Sequence, residues 1–198
     1  FISCRNTNVL RLVNTVLALI FFGGVVSLFA IIACKGGIDF SDMGPAFATA
    51  GVAKDHSPLM QIVNVLVLAP WAFVGFGVVS FASSTYDFKP KYSFAIMMAA
   101  LVAGAIVYSL TALLSVSVTP ANFGDWEAYF TNLKNLKGIE SVPVFHAVFK
   151  TLGNGGIVLL AITVMAAISS SLLGLYRSLG RMFMSLANDS VMPAWFGH

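Results

Sequence analysis

The residues best placed to do chemistry lie where a helix has trouble staying regular: Ala69-Pro70-Trp71-Ala72-Phe73-Val74-Gly75-Phe76-Gly77. Pro70 has no N–H, and its ring collides with the carbonyl four residues back. Gly75 and Gly77 weaken whatever helix follows. The segment should therefore kink or unwind. Unwinding frees backbone carbonyls and amides, which a membrane interior tolerates only where protein or a water-filled cavity receives them. A simple bend is the plainer outcome, since Pro and Gly are common in transmembrane helices. Trp71 lies about fifteen residues inside a charge-free stretch, too deep for an interfacial anchor, and its indole N–H needs a partner. Facing a cavity, such a ring can stack on a substrate, close over it as a gate and attract an ammonium group; packing in a core is the ordinary alternative.

Elsewhere the chemistry is sparse. Ser169-Ser170-Ser171 could hold a polar ligand, although serines in membrane helices commonly bond back to the carbonyl one turn earlier. Arg177 and Arg181, one turn apart, suit anchoring at headgroups. Ala99, Ala103, Gly104, Ser109 and Ala112 read as a small-residue packing face. No Asp, Glu, Lys or Arg lies deep in an apolar run, and His56, His146 and His198 all fall outside them. Buried proton relays are thus not visible. Cys4 and Cys34 have neither metal-ligand spacing nor the pattern of a disulfide framework. Without a phosphate-cradling loop, a nucleophile elbow or a metal-ligand cluster, no metal, cofactor or enzymatic activity is expected.

The elements that must position these residues follow from composition. Of 198 residues, 58% are hydrophobic and 10% charged, and mean hydropathy is +0.88. Soluble domains run near half apolar and a quarter charged, so a soluble globule is excluded, as are a disordered chain and a nucleic-acid-binding surface. The expected partner is the lipid bilayer. Four stretches carry no charge: Leu12 to Cys34, Ser57 to Tyr86, Tyr92 to Gly124 and Thr151 to Tyr176. Each exceeds the roughly 20 residues that cross a hydrocarbon core about 30 Å thick, and none shows the alternation of a barrel wall. The expected fold is an all-α integral membrane protein whose single domain, 1–198, has four transmembrane helices near 12–34, 61–84, 92–118 and 153–176, the second of them discontinuous. Arg5, Arg11 and the run ending at Cys34 also resemble a lipoprotein signal, but the run is too long and three more spans follow. The start at Phe1, close to a span, suggests a piece of something longer.

Loops alternate between two sides. Arg5, Arg11, Lys89, Lys91, Arg177 and Arg181 crowd the helix ends on one side, against Asp87 and Asp189, which makes that side cytoplasmic together with both termini. The longer loops, 35–56 and 119–152, are then external. In the second, Trp126, Phe130, Leu133 and Leu136 recur at helical spacing, as do Val142, Phe145, Phe149 and Leu152, with Gly138 and Pro143 between. Two short amphipathic helices fit, lying in the headgroup region or over a cavity mouth.

These residues resemble the amino acid–polyamine–organocation superfamily of permeases. Ala69 to Phe76 looks like the sixth-helix motif of its amino acid permeases, where an aromatic-Ala-Phe segment precedes Gly, an aromatic and an acidic residue. Ser178 to Phe196, including Leu186-Ala187-Asn188-Asp189-Ser190-Val191-Met192-Pro193, is similar to the eighth-helix signature, in which a Ser-Arg pair leads to Met-Ala-Arg-Asp-Gly-x-x-Pro. Arg5 to Asn14 looks like the entry to the fifth helix. The resemblance implies a LeuT-type inverted-repeat transporter fold, of which this chain would supply helices five to eight and the missing helices would be partners.

It further implies a plasma-membrane carrier of amino acids or related small amines working by alternating access. Trp71, Ala72, Phe73, Val74 and Gly75 would bind substrate, with Trp71 as gate and carbonyls around Trp71 and Val74 receiving its ammonium. Gly77, Ser84, Thr85 and Ser170 are the coupling or gating candidates. Departures matter here: Gly77 stands where many relatives have an acid, Ser84-Thr85 where many have paired acids, and the fifth helix lacks a Lys. Those absences leave a second reading open, a non-transporting scaffold or assembly subunit that keeps the permease fold.

Overall fold

The computed structural model describes residues 7–38, 43–49, 57–74, 89–120, 122–191 and 193. Its regular elements are α1 (Thr7–Cys34), α2 (Pro58–Ala72), α3 (Ser93–Val116), α4 (Trp126–Asn132) and α5 (Pro143–Asn188), with single 3-10 turns at Pro90–Tyr92, Leu133–Asn135 and Gly138–Ser141. No strand occurs among the described residues. Three helices, within Asn8–Cys34, Ser93–Val116 and Pro143–Asn188, are long and apolar enough to cross a membrane. Their outward faces carry Leu12, Leu19, Val26, Phe94, Val102 and Met165, all exposed, as a lipid-solvated chain requires.

The expected second span differs. Its regular helix stops at Ala72 after 15 residues, about 22 Å at 1.5 Å per residue and short of a ~30 Å core. The stop comes two residues after Pro70, which itself lies inside the helix. Residues 75–88 lie outside the described part of the chain, so the continuation of this span does too.

The chain divides into two compact units. One comprises Phe1–Phe21, Phe73–Gly104 and Val164–His198, the other Phe22–Ala72 and Ala105–Thr163. The second holds the core: Leu28 and Ile32 of α1, Leu114 of α3, and Val148 and Leu160 of α5, flanked by Phe29, Phe145 and Leu152. Here α1 ends in a Schellman turn. Gly36 takes φ 66°, its N–H reaches the Ala33 carbonyl at 3.1 Å, and Gly37 N–H reaches that of Ile32 at 2.9 Å. The reversal seats Gly37 against Thr151, where a β-carbon would lie 2.7 Å from Cγ2.

The two amphipathic stretches of the long loop fold unequally. The first gives α4 and then a 3-10 turn. The second is the opening arm of α5, from Pro143 to a break at Gly153 (φ 64°, ψ −152°), a conformation open essentially to glycine. Only the glycine lets one element be an arm on one side of the break and a span on the other.

Candidate functional site

Four of the five residues expected to bind substrate are described: Trp71 and Ala72 close α2, and Phe73 and Val74 follow it in the chain. The helix axis delivers a partial negative charge there, and its last carbonyls lack regular donors. Trp71 stands 78% exposed at that end. The Ala72 carbonyl has a partner from another element: the Tyr108 hydroxyl of α3 donates to it at 2.6 Å. The end of α2 therefore combines an acceptor-rich backbone with an uncovered aromatic ring, two features that attract an ammonium group. Gly75, together with the coupling candidates Gly77, Ser84 and Thr85, lies outside the described residues.

In the first unit, Phe73 packs over α3 at Gly104, where a β-carbon would sit 3.6 Å from the ring. Gly104 is thus a packing residue, as its small-residue neighbourhood suggests. The remaining coupling candidate, Ser170, breaks the habit of the span hydroxyls. Ser109, Thr111, Ser115 and Thr163 donate to carbonyls four residues back, at 2.8 to 2.9 Å. Ser170 instead donates to Oδ1 of Asn14 in α1 at 2.7 Å. That bond ties α5 to α1 inside one unit through two neutral side chains.

The long loop forms a polar lobe within the second unit. Asp125 caps α4, accepting from Ala128 N–H at 2.7 Å, with Glu127 in the first turn, where the helix dipole favours it. Glu127 is 7% exposed and accepts from Thr49 at 2.8 Å. Trp126 N–H donates to the Pro45 carbonyl at 2.8 Å. Gln61 of α2 grips both backbone groups of Ala48, donating to its carbonyl at 2.9 Å and accepting from its N–H at 3.0 Å. Residues 45–49 are thereby stitched to the beginning of α2 and to α4.

At the centre of the lobe lies Tyr129, fully buried, its hydroxyl donating to the Glu140 carbonyl at 2.6 Å. Burial, with the Glu140 charge adding, holds its phenol above the usual range, so it remains a donor. Beside it His146, 8% exposed, leaves Nε2 without a hydrogen-bond partner. Burial pushes the His146 pKa down, outweighing the raising effect of Glu140, while Lys150 lowers it further. An unfolded lobe would bind a proton near the ordinary histidine pKa of about 6.5 while the folded one stays neutral. Stability should therefore fall as pH drops below about 6.5 toward the depressed native value. Hydrogen exchange of residues 122–150 at pH 7.5 and pH 5.5 checks this: protection is lost at the lower pH in the wild type and retained in His146→Phe. Equal losses in both proteins would exclude His146 as the cause.

Sequence reasoning missed Tyr108, Asn14 and the Tyr129–His146 pair. Tyr108 had a signal, being a hydroxyl-bearing aromatic midway along a charge-free stretch with no water to satisfy it. Asn14 offered the same signal, a polar amide inside an apolar run. The lobe had none, because its partners are up to 81 residues apart. Comparison of this chain with protein-family models, curated proteins and solved structures finds no match.

Proposed function

We propose that this chain is the site-bearing part of a secondary carrier for amino acids or related small amines, with both termini on the cytoplasmic side of the plasma membrane. The carrying observation is the end of α2. A helix inside a long charge-free stretch stops two residues after Pro70 and leaves Trp71 78% exposed at its negative end. Interrupted helices with exposed carbonyls near mid-membrane are how carriers of the LeuT type hold cationic groups. The terminal motif lends support. Ser190 takes φ 58°, with Ser190 N–H to the Ala187 carbonyl at 3.1 Å and Val191 N–H to that of Leu186 at 2.9 Å. This is the left-handed position of a Schellman turn, where the permease signature carries Gly and where glycine is the unstrained choice.

Reconstituted in liposomes, an intact parent protein that contains these 198 residues together with the missing helices should accumulate labelled amino acids or small amines, whereas these residues alone should not. Replacing Trp71 with Ala removes a stacking face and any cation–π attraction, a loss on the order of 1 to 2 kcal/mol when ring and ammonium are desolvated. Apparent affinity should fall roughly 5- to 30-fold, since about 1.4 kcal/mol is a factor of ten, and Trp71→Phe should lose less. Binding is measured per folded molecule. An unchanged dissociation constant in Trp71→Ala would make the ring a packing element and leave the scaffold reading in its place.

A further inference from the structure

We infer that Tyr108 is a positioning residue for Trp71: by donating to the Ala72 carbonyl, its hydroxyl sets the end of α2 and with it the direction of the neighbouring indole. The inference that this matters for substrate rests on the carrier reading above, whereas the pin itself does not.

The argument begins with how little else holds α2. None of its own residues is buried, and the packing nearest its carboxyl end comes from the residue after it, Phe73, over Gly104 of α3. Its beginning is clamped by Gln61, through two hydrogen bonds to Ala48. Its end, the fifteenth residue, is where the last carbonyls have no N–H one turn further on and look for other donors. Tyr108 supplies one of them at 2.6 Å, a short bond for a neutral pair, and a low-dielectric setting strengthens it. The reach is across 36 residues, from the middle of the 24-residue helix α3. A phenol is suited to this task. It is rigid about its ring axis and places its donor about 6.5 Å from its own Cα, far enough to meet a backbone that packs loosely. Tyr108 itself is half exposed, so the bond is not an incidental product of core packing.

The Ala72 carbonyl belongs to the peptide plane between residues 72 and 73, so the bond from Tyr108 holds the backbone where α2 ends, one residue beyond Trp71. The ring on residue 71 is mostly uncovered, so the backbone beside it has a large share in setting its direction. The Ala72 carbonyl also keeps a second lone pair, so the pin and an incoming ammonium can share one acceptor instead of excluding each other.

The test labels the three tryptophans with 5-fluorotryptophan in the whole chain and records fluorine NMR spectra in detergent micelles. The Trp71 resonance is assigned by its loss in Trp71→Phe. In Tyr108→Phe, which keeps the ring and deletes only the donor, the Trp71 resonance should shift and broaden while those of Trp126 and Trp195 hold their positions. Wherever the wild type transports, the same variant should raise KM about 3- to 10-fold at nearly unchanged maximal rate, because one hydrogen bond of about 1 kcal/mol no longer positions the ring. A Trp71 resonance unmoved in Tyr108→Phe overturns the inference. So does displacement of all three resonances together, which would show a general structural role. A shifted Trp71 resonance in a protein that moves no amino acid or amine upholds the pin and removes the carrier reading alone.

Discussion

Replacing Tyr129 with Ala is expected to cost the lobe about 3–5 kcal/mol, the range found for deleting a fully buried aromatic side chain. The residue is 0% exposed, and its ring centroid lies 5.7 Å from those of Phe123 and Phe130 and 6.1 Å from that of His146. Removing it opens a cavity among three rings and strands the Glu140 carbonyl that it serves. The loss should be local. Protease should cut within residues 122–150 at concentrations that spare the wild type, while helicity, which resides in the long apolar helices, stays nearly constant. Tyr129→Phe separates the two contributions, keeping the packing and losing only the donor, at about 1 kcal/mol. If Tyr129→Ala melts within about 0.5 kcal/mol of the wild type, the ring is not the centre of the lobe, because ordinary surface substitutions already span that range.

The second large effect is expected at Gly24. A β-carbon at this position of α1 would overlap Oγ1 of Thr163 and sit 2.9 Å from Cγ2 and 3.0 Å from Cβ of the same residue. Thr163 cannot simply turn aside. It is 1% exposed, and its hydroxyl is engaged with the Leu159 carbonyl at 2.8 Å. Gly24→Ala must therefore push α1 and α5 apart, costing about 1–3 kcal/mol by overpacking. Inside a bilayer this is severe, since helix association there depends on close van der Waals approach and not on exclusion of water. Thr163→Ala removes the two closest atoms, so the double variant should recover most of what Gly24→Ala loses. Thermal unfolding of the four proteins of this cycle in one detergent measures the coupling, and additive losses would show that the two residues do not meet.

Both effects arise at positions whose importance the sequence does not display. Gly24 follows Gly23 in an unbroken apolar run, and the two look alike there. In the structure a β-carbon at Gly23 would meet nothing within 4 Å, whereas at Gly24 it would strike Thr163. Tyr129 lies one residue before Phe130 in a stretch read as an amphipathic helix on the strength of Trp126, Phe130, Leu133 and Leu136. Tyr129 is the residue that tertiary packing buries completely, while Phe130 stays partly exposed.

What the sequence determined by itself is everything governed by solvent and by local covalent geometry. Long runs without charge had to be helical and bilayer-compatible, because a backbone without water must satisfy itself within the segment. Pro70 marks a weak point in an otherwise good helix former, and α2 runs through it to Ala72. Asp125 could cap α4 because an Asx side chain reaches an N–H three residues on. The tertiary structure alone decided which side chains meet. Tyr108 finds the Ala72 carbonyl, Ser170 leaves its own helix for Asn14, and Trp126 reaches Pro45. Such pairings join residues 36 to 156 apart. Hydropathy and helical period repeat every few residues and carry no information over that distance. Only the packing of whole helices brings one hydroxyl, one amide or one ring to within 3 Å of its partner.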